Sequence, residues 1–411
     1  MQGAPSPHPG LSFGAFVATI AIIQTIVALA IDMMVPALGA IAASFHLGEG
    51  NQRQWVIAVF VIAFGASQLG YGLVADRFGR RKLLLGCLSL YTLCAFAAAL
   101  AGSFNALLAA RAAMGIAAAG SQVMVTALIR DCYAGRQMAK VNSLSFMVFL
   151  GAPIIAPSLG QALLLIAPWR AIFIALGLYA GLTALWVSWR LPETQSLADR
   201  RPVAWRPFRS AAIATLRNRT ALGYTLAAML LLGAWLGFIY SAQQVFAEIF
   251  RRPALFPSIF AICSVSMALA ALLNARLVER FGMRRLAHGA MLGFILTSAA
   301  QAGAAFAGAD TLWHFAIIQT AMMFSFGLLA GNFSALSMEP LGHIAGTAAA
   351  VQGFINMLGS ALIGIVIGLR FDGTLRPLAL GFCLCSLAGF AIVAIAERGR
   401  LFTPHSVQQE I

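Results

Sequence analysis

Two ionisable side chains lie inside long apolar runs of this 411-residue chain, Asp32 in the run at 13 to 36 and Arg111 in the run at 106 to 128. A charge inside hydrocarbon costs about 2.5 to 3.5 kcal/mol on insertion scales, so an embedded acid or base needs a reason to be there. The chemistry open to this pair is proton binding. Desolvation and a neighbouring cation act on a carboxyl in opposite senses, and the balance lets a proton compete with a ligand. Arg111 stands about five residues into its run, ~8 Å along a helix, a depth comparable to that of Asp32. The two are expected to face each other, with a static ion pair as the alternative.

Around them lie groups suited to holding a small molecule. Gln24 and Ala28 share the helical face of Asp32, Met33 follows it, and Met114, Gly115, Ala118 and Gln122 fall on the face of Arg111. Asn142, Phe146, Trp235, Phe238, Tyr240, Gln243, Asn332 and Asn356 lie in other apolar runs. Amides there serve as ligand contacts or interhelical hydrogen bonds, and aromatic and Met side chains as adaptable pocket walls or plain packing. No nucleophile, metal cluster or acid pair is spaced for catalysis, so an enzyme, a metal or an organic cofactor is not expected. The six cysteines lack zinc-type spacing.

The elements that must position these residues follow from composition. With 61% hydrophobic and 10% charged residues, the chain has too much apolar surface for a water-soluble core. About twelve runs approach the roughly 20 residues needed to cross a bilayer. The reading is an all-α membrane protein of 12 transmembrane helices: a tail at 1 to 12, a six-helix bundle at 13 to 189, a linker at 190 to 218, a second bundle at 219 to 396 and a tail at 397 to 411. The Pro-rich start lacks the basic opening of a signal peptide, so the first run is expected to be retained. Of the 27 Lys and Arg, twenty fall on the side of the 77 to 82 loop, six on the other, and Arg111 within a run. By the positive-inside rule both tails and the linker are cytoplasmic. The formal charge of +14 is thereby explained by topology, without nucleic acid.

The loop Gly72-Leu73-Val74-Ala75-Asp76-Arg77-Phe78-Gly79-Arg80-Arg81-Lys82 concentrates charge between two runs, and acid-Arg-Phe-Gly-x-Arg recurs at Glu279 to Arg284. Such an echo is expected of a carrier built from parallel repeats with a midplane site. Topology needs only the basic residues. Gly72, Asp76, Arg77, Gly79, Arg80 and Arg81, with Arg130 and Asp131, are read as a gate, Asp76 pairing with Arg80 and Arg130. Pro153, Pro157 and Gly160 mark a run able to bend as such a gate moves.

The 72 to 82 loop resembles the signature between the second and third helices of major facilitator transporters, with Val74 where Leu is usual. Ile31-Asp32-Met33-Met34-Val35-Pro36 resembles the first-span motif of the drug:proton antiporters of the Bcr/CflA (bicyclomycin and chloramphenicol resistance) branch. Arg111-Ala112-Ala113-Met114-Gly115 is similar to the fourth-span motif whose Arg is linked to proton coupling, and Ala156-Pro157 through Gly160 to the antiporter motif, with Ala for its first Gly and Gln161 for its last. Asn332 to Ala348 looks like the turn between spans ten and eleven of that branch. The resemblance implies two six-helix bundles, alternating access and proton-coupled efflux of small amphipathic compounds from a bacterial inner membrane, by a chain acting as a monomer. Some relatives carry a second acid near Gln24, so its absence argues against a broad cation range. A specific uptake carrier or uniporter, or a non-transporting sensor, are the rival readings.

Overall fold

The computed structural model describes residues 11–48, 50–133, 135–194 and 205–402. In lipid a backbone meets its hydrogen bonds within its own helix, and the described residues form helices and no strands. Eleven of these helical segments are long and apolar enough to cross a membrane, and a shorter apolar stretch, Gly151–Ile166, is the second half of a further helix.

The chain divides into two compact units, Met1–Arg206 and Pro207–Ile411. The first holds α1 (Phe13–Asp32), α2 (Leu38–Ser44), α3 (Trp55–Phe78), α4 (Arg80–Ala99), α5 (Phe104–Cys132), α6 (Gly135–Ile166) and α7 (Arg170–Arg190). Ser12 and Ser103 cap α1 and α5 by accepting from the backbone three residues on, as N-cap residues do. α5 runs against α3 and α4, α4 against α7, and α1 against α6. Thr25 meets the Tyr179 hydroxyl at 2.6 Å and the Trp186 indole donates to Thr19 at 3.0 Å, tying α1 to α7. Pro153 and Pro157 both lie inside the unbroken α6.

The second unit holds most of α8 (Trp205–Arg217), then α9 (Arg219–Gln244), α10 (Phe256–Phe281), α11 (Met283–Ala307), α12 (Leu312–Met338), α13 (Ala345–Leu369) and α14 (Arg376–Ala396). The linker expected at 190 to 218 therefore contains a 13-residue helix. α9 packs against α13 and α14, and α12 against α10 and α11. A ring cluster of Trp235, Phe238, Phe260 and Phe315 fills the contact of α9 with α10 and α12.

The sequence echo has a structural counterpart. α3 gives way to α4 through Gly79 at φ 88°, ψ 148°, and α10 to α11 through Gly282 at φ 79°, ψ 155°. Side chains with a Cβ avoid that region, so the shared Gly is what lets two helices join with a single residue between them.

Candidate functional site

Asp32 ends α1, where Pro36 lacks the amide an α-helix needs and the chain tightens into a short 3-10 turn, Val35–Ala37. Its side chain is buried, 4% exposed. The Arg111 side chain is fully buried on α5. Its Nε donates to the Val56 carbonyl at 2.8 Å and its Nη2 to the Ala30 carbonyl at 3.1 Å. The guanidinium lies 4.5 Å from the Phe60 ring centre and 5.9 Å from that of Phe173, within cation–π range. One planar fork thus joins α3 and α1 two residues before Asp32, a task suited to arginine.

The expected meeting of Asp32 and Arg111 is corrected by this geometry. Among the described residues Asp32 has no ion pair within 4.0 Å and no hydrogen bond. Two of the donors that would have met it, Nε and Nη2, are turned to the backbone carbonyls of Val56 and Ala30, the latter in the last turn of α1, where carbonyls lack partners within the helix. What the pair can do is therefore asymmetric. The acid is available for a proton or a ligand, while the base fixes the backbone from which the acid projects.

Backbones approach closely on both sides of this arrangement. A Cβ on Gly115, one turn after Arg111, would strike the Phe60 carbonyl, and a Cβ on Gly160 of α6 would strike the backbone of Met33, next to Asp32. Gln24 and Gln122 each keep a buried side-chain oxygen without a hydrogen bond. Met33 and Met114 are buried, Asn142 is exposed, and the Phe146 side chain falls outside the described residues.

At the end of this unit that carries Arg80, that buried residue donates from Nε to Asp131 at 2.9 Å. Arg130 stands 4.0 Å from the same carboxylate. Glu193, just after α7, accepts from the backbone of Arg80 at 2.9 Å and of Arg81 at 3.3 Å. A carboxylate there meets the positive end of the α4 dipole. The Arg81 side chain donates to the Ser188 carbonyl. The expected pairing of Asp76, and Gly72 beside it, lies outside the residues whose side chains are described. Arg77 is exposed.

The second unit repeats the device with other residues. Arg284 donates from Nε to Glu397 at 3.0 Å and from Nη2 to Glu339 at 3.2 Å. Tyr224 of α9 adds a hydrogen bond to Glu397 at 2.9 Å, and its hydroxyl is 3.0 Å from Nε2 of the buried His288. Neither His288 nor Glu397 was singled out from sequence. The signal available was Arg284 as the counterpart of Arg81 in the repeat.

Above this cluster a cavity of about 420 Å³ opens among α9, α12 and α13, lined by Tyr224, Leu231, Phe326, Phe333, Gln352 and Asn356 among others. Gln352 is satisfied by Ser337, which donates to its oxygen at 3.1 Å and accepts from its nitrogen, through the backbone, at 3.0 Å. Asn356 keeps a buried oxygen without a partner. The wall is otherwise apolar and aromatic, which suits an uncharged or amphipathic molecule offering a hydrogen-bond donor. Of the expected contacts in this unit, only Asn356 lines the cavity. Trp235 and Phe238 belong to the ring cluster, and Tyr240 is fully buried. Gln243 keeps a buried oxygen unbonded elsewhere. Asn332 donates to Asn274 at 2.7 Å and to the Leu328 carbonyl at 2.9 Å, so it joins α12 to α10.

Residues 20–364 match the sequence profile of the Major Facilitator Superfamily. The chain belongs to that superfamily of membrane transporters. Its curated relatives in the superfamily include a bicyclomycin resistance protein homolog of Haemophilus influenzae, 26% identical over 379 residues, 90% of this chain and 93% of the relative. Multidrug resistance protein D of Escherichia coli is 28% identical over 335 residues, 80% of this chain and 82% of its own. An uncharacterized MFS-type transporter, YdgK, of Bacillus subtilis is 27% identical over 374 residues, 89% and 92% of the two chains. Among solved structures, a bacterial homolog of the human lysosomal transporter Spinster aligns with TM-score 0.71 at 17% identity, over 93% of this chain and 95% of its own. The human organic anion transporter MFSD10 aligns at TM-score 0.67 and 18% identity, over 94% and 100%. The superfamily fold of two six-helix bundles is the fold of this chain, and its members are transporters, not enzymes.

Proposed function

We propose that the chain is a proton-coupled antiporter that exports small amphipathic compounds across a bacterial inner membrane by alternating access, acting as a monomer with both termini in the cytoplasm and without a cofactor. The observation that carries this reading is Asp32, buried, unpaired and next to a backbone held by Arg111. A group so placed takes up a proton in one state of the carrier and gives it up in another, because ionising it requires water or a partner that this arrangement does not supply.

Arg111 acts in coupling as a positioning residue, keeping the end of α1 fixed to α3 while the acid changes state. The unpartnered amides of Gln24 and Gln122 in the first unit, and Asn356 with the aromatic wall in the second, are the polar contacts offered to substrate. The Arg80–Asp131 and Arg284–Glu397–Glu339 clusters act as gates, made in one orientation of the carrier and broken in the other. The relatives named for bicyclomycin and multidrug resistance support export as the direction.

A panel of antimicrobial compounds tested on an efflux-deficient bacterial strain, with and without the chain expressed, checks the reading. At least one amphipathic compound is expected to be tolerated at several-fold higher concentration when the chain is present, with the gain lost on collapsing the proton gradient. Protection that survives the collapse would count against proton coupling.

A further inference from the structure

His288, on the second turn of α11, is fully buried and makes hydrogen bonds through both ring nitrogens. The backbone amide of Phe402 lies 3.0 Å from Nδ1. A backbone N–H only donates, so Nδ1 must present its lone pair and the ring proton must sit on Nε2. That proton is donated to the Tyr224 hydroxyl at 3.0 Å, which in turn donates to Glu397 at 2.9 Å. The geometry therefore fixes both the neutral state of His288 and its tautomer.

Phe402 belongs to the short segment that follows α14, and it packs around this histidine. Its ring stands edge-on to the imidazole at 5.4 Å, and its carbonyl accepts from Arg285 Nε at 3.2 Å. The segment is wound tightly to get there: Arg398 at φ 53° and Phe402 at φ 64° adopt left-handed conformations without being glycine, with Gly399 at φ 74° between them. Such residues persist only where surrounding contacts hold them.

A second proton on the ring would set an Nδ1–H against the Phe402 N–H, two donors with no acceptor between them. Among the described residues the charged and titratable groups facing His288 are Glu397 beyond α14, Tyr224 of α9, and Arg284 on its own helix. Glu339, at the end of α12, reaches this cluster through Arg284. α10, which also packs on α11, gives His288 no described hydrogen bond, ring contact or ion pair. Glu397 attracts a charge on the ring, but its oxygen is already shared by Tyr224 and Arg284, and Arg284 repels one.

We propose that His288 is a proton-binding site that latches the C-terminal segment: the neutral ring holds Phe402, and protonation at Nδ1 releases residues 398–402. The carboxylate of Asp32 has no part in it. Because Tyr224 links the histidine to the wall of the cavity, opening the latch also changes the polar group presented there.

Hydrogen–deuterium exchange of the full-length protein in nanodiscs, from pH 5 to pH 8, tests the proposal without requiring transport. Its failure is therefore distinguishable from failure of the export reading. After correction for intrinsic exchange, opening of peptides covering 398–402 should be flat above the ordinary histidine pKa of about 6.5 and, as the pH falls below it, approach a rise of about tenfold per unit as one proton is taken up. His288→Gln offers an amide oxygen to Phe402 but does not titrate in this range, so it should stay protected with no pH slope. His288→Ala should be open at every pH, and if it does not fold the comparison of wild type with His288→Gln decides. Protection in the wild type that is independent of pH, or an equal slope in His288→Gln, would overturn the proposal.

Discussion

Replacing Arg111 by Lys separates charge from geometry in the proposed coupling site. Lysine keeps the positive charge, so if Arg111 served as a counter-ion to Asp32 the substitution would be mild. The structure gives Arg111 a different task, with Nε on the Val56 carbonyl at 2.8 Å, Nη2 on the Ala30 carbonyl at 3.1 Å and the guanidinium plane 4.5 Å from the Phe60 ring. An ammonium group cannot span both carbonyls and stack. It forfeits one charged hydrogen bond, about 1.5 to 3 kcal/mol, and part of a desolvated cation–π contact of about 2 kcal/mol. A net loss of about 2 to 3 kcal/mol corresponds to roughly 30- to 150-fold in the population of the competent arrangement. The assay is the initial rate of substrate movement in proteoliposomes under an imposed pH gradient, for wild type, Arg111→Lys and Arg111→Gln. Both variants should fall to within a few-fold of each other and far below wild type. Near-normal activity of Arg111→Lys beside an inactive Arg111→Gln would refute the reasoning and restore the counter-ion.

Two further outcomes follow from packing. Gly160→Ala drives a Cβ into the Met33 backbone, so α1 and α6 must separate and thermal stability in detergent should fall by about 1 to 3 kcal/mol; Gly151→Ala, where a Cβ meets nothing within 4 Å, should leave it unchanged. Asn332→Leu breaks the bond to Asn274 and should cost about 1 kcal/mol of stability, whereas Asn356→Leu removes an oxygen bonded to nothing in the protein and should weaken substrate binding with the melting temperature unchanged. The reverse pattern for the two asparagines would move the substrate contact away from the cavity.

How far the sequence could be read depended on whether a property is local. Run length and the scarcity of charge set the spanning helices, because a bilayer leaves the backbone no alternative. Gly79 and Gly282 were legible as a repeat because one backbone conformation demands glycine in both. Asp32 and Arg111 stood out by the cost of burying them, but their relation did not: a carbonyl at residue 30 and another at residue 56 carry no sequence mark, and they take two of the donors that a charge argument assigns to Asp32. The same holds for Asn332, whose partner is 58 residues away on α10. Tyr224, His288, Glu397 and Phe402 come together from the two ends of the second unit, with no spacing to flag them. α8 was hidden by its Arg and Pro, which mark a linker by composition while leaving a helical period beneath.

The central claim is that Asp32 carries the transported proton. Its most direct test is proton release or uptake measured with substrate movement in the same proteoliposomes, for wild type and Asp32→Asn. The amide is nearly isosteric and the carboxylate has no ion-pair or hydrogen-bond partner among the described residues, so the variant should fold and still bind substrate. It should show no gradient-driven accumulation and no substrate-linked proton flux. Undiminished coupled flux in Asp32→Asn would contradict the account.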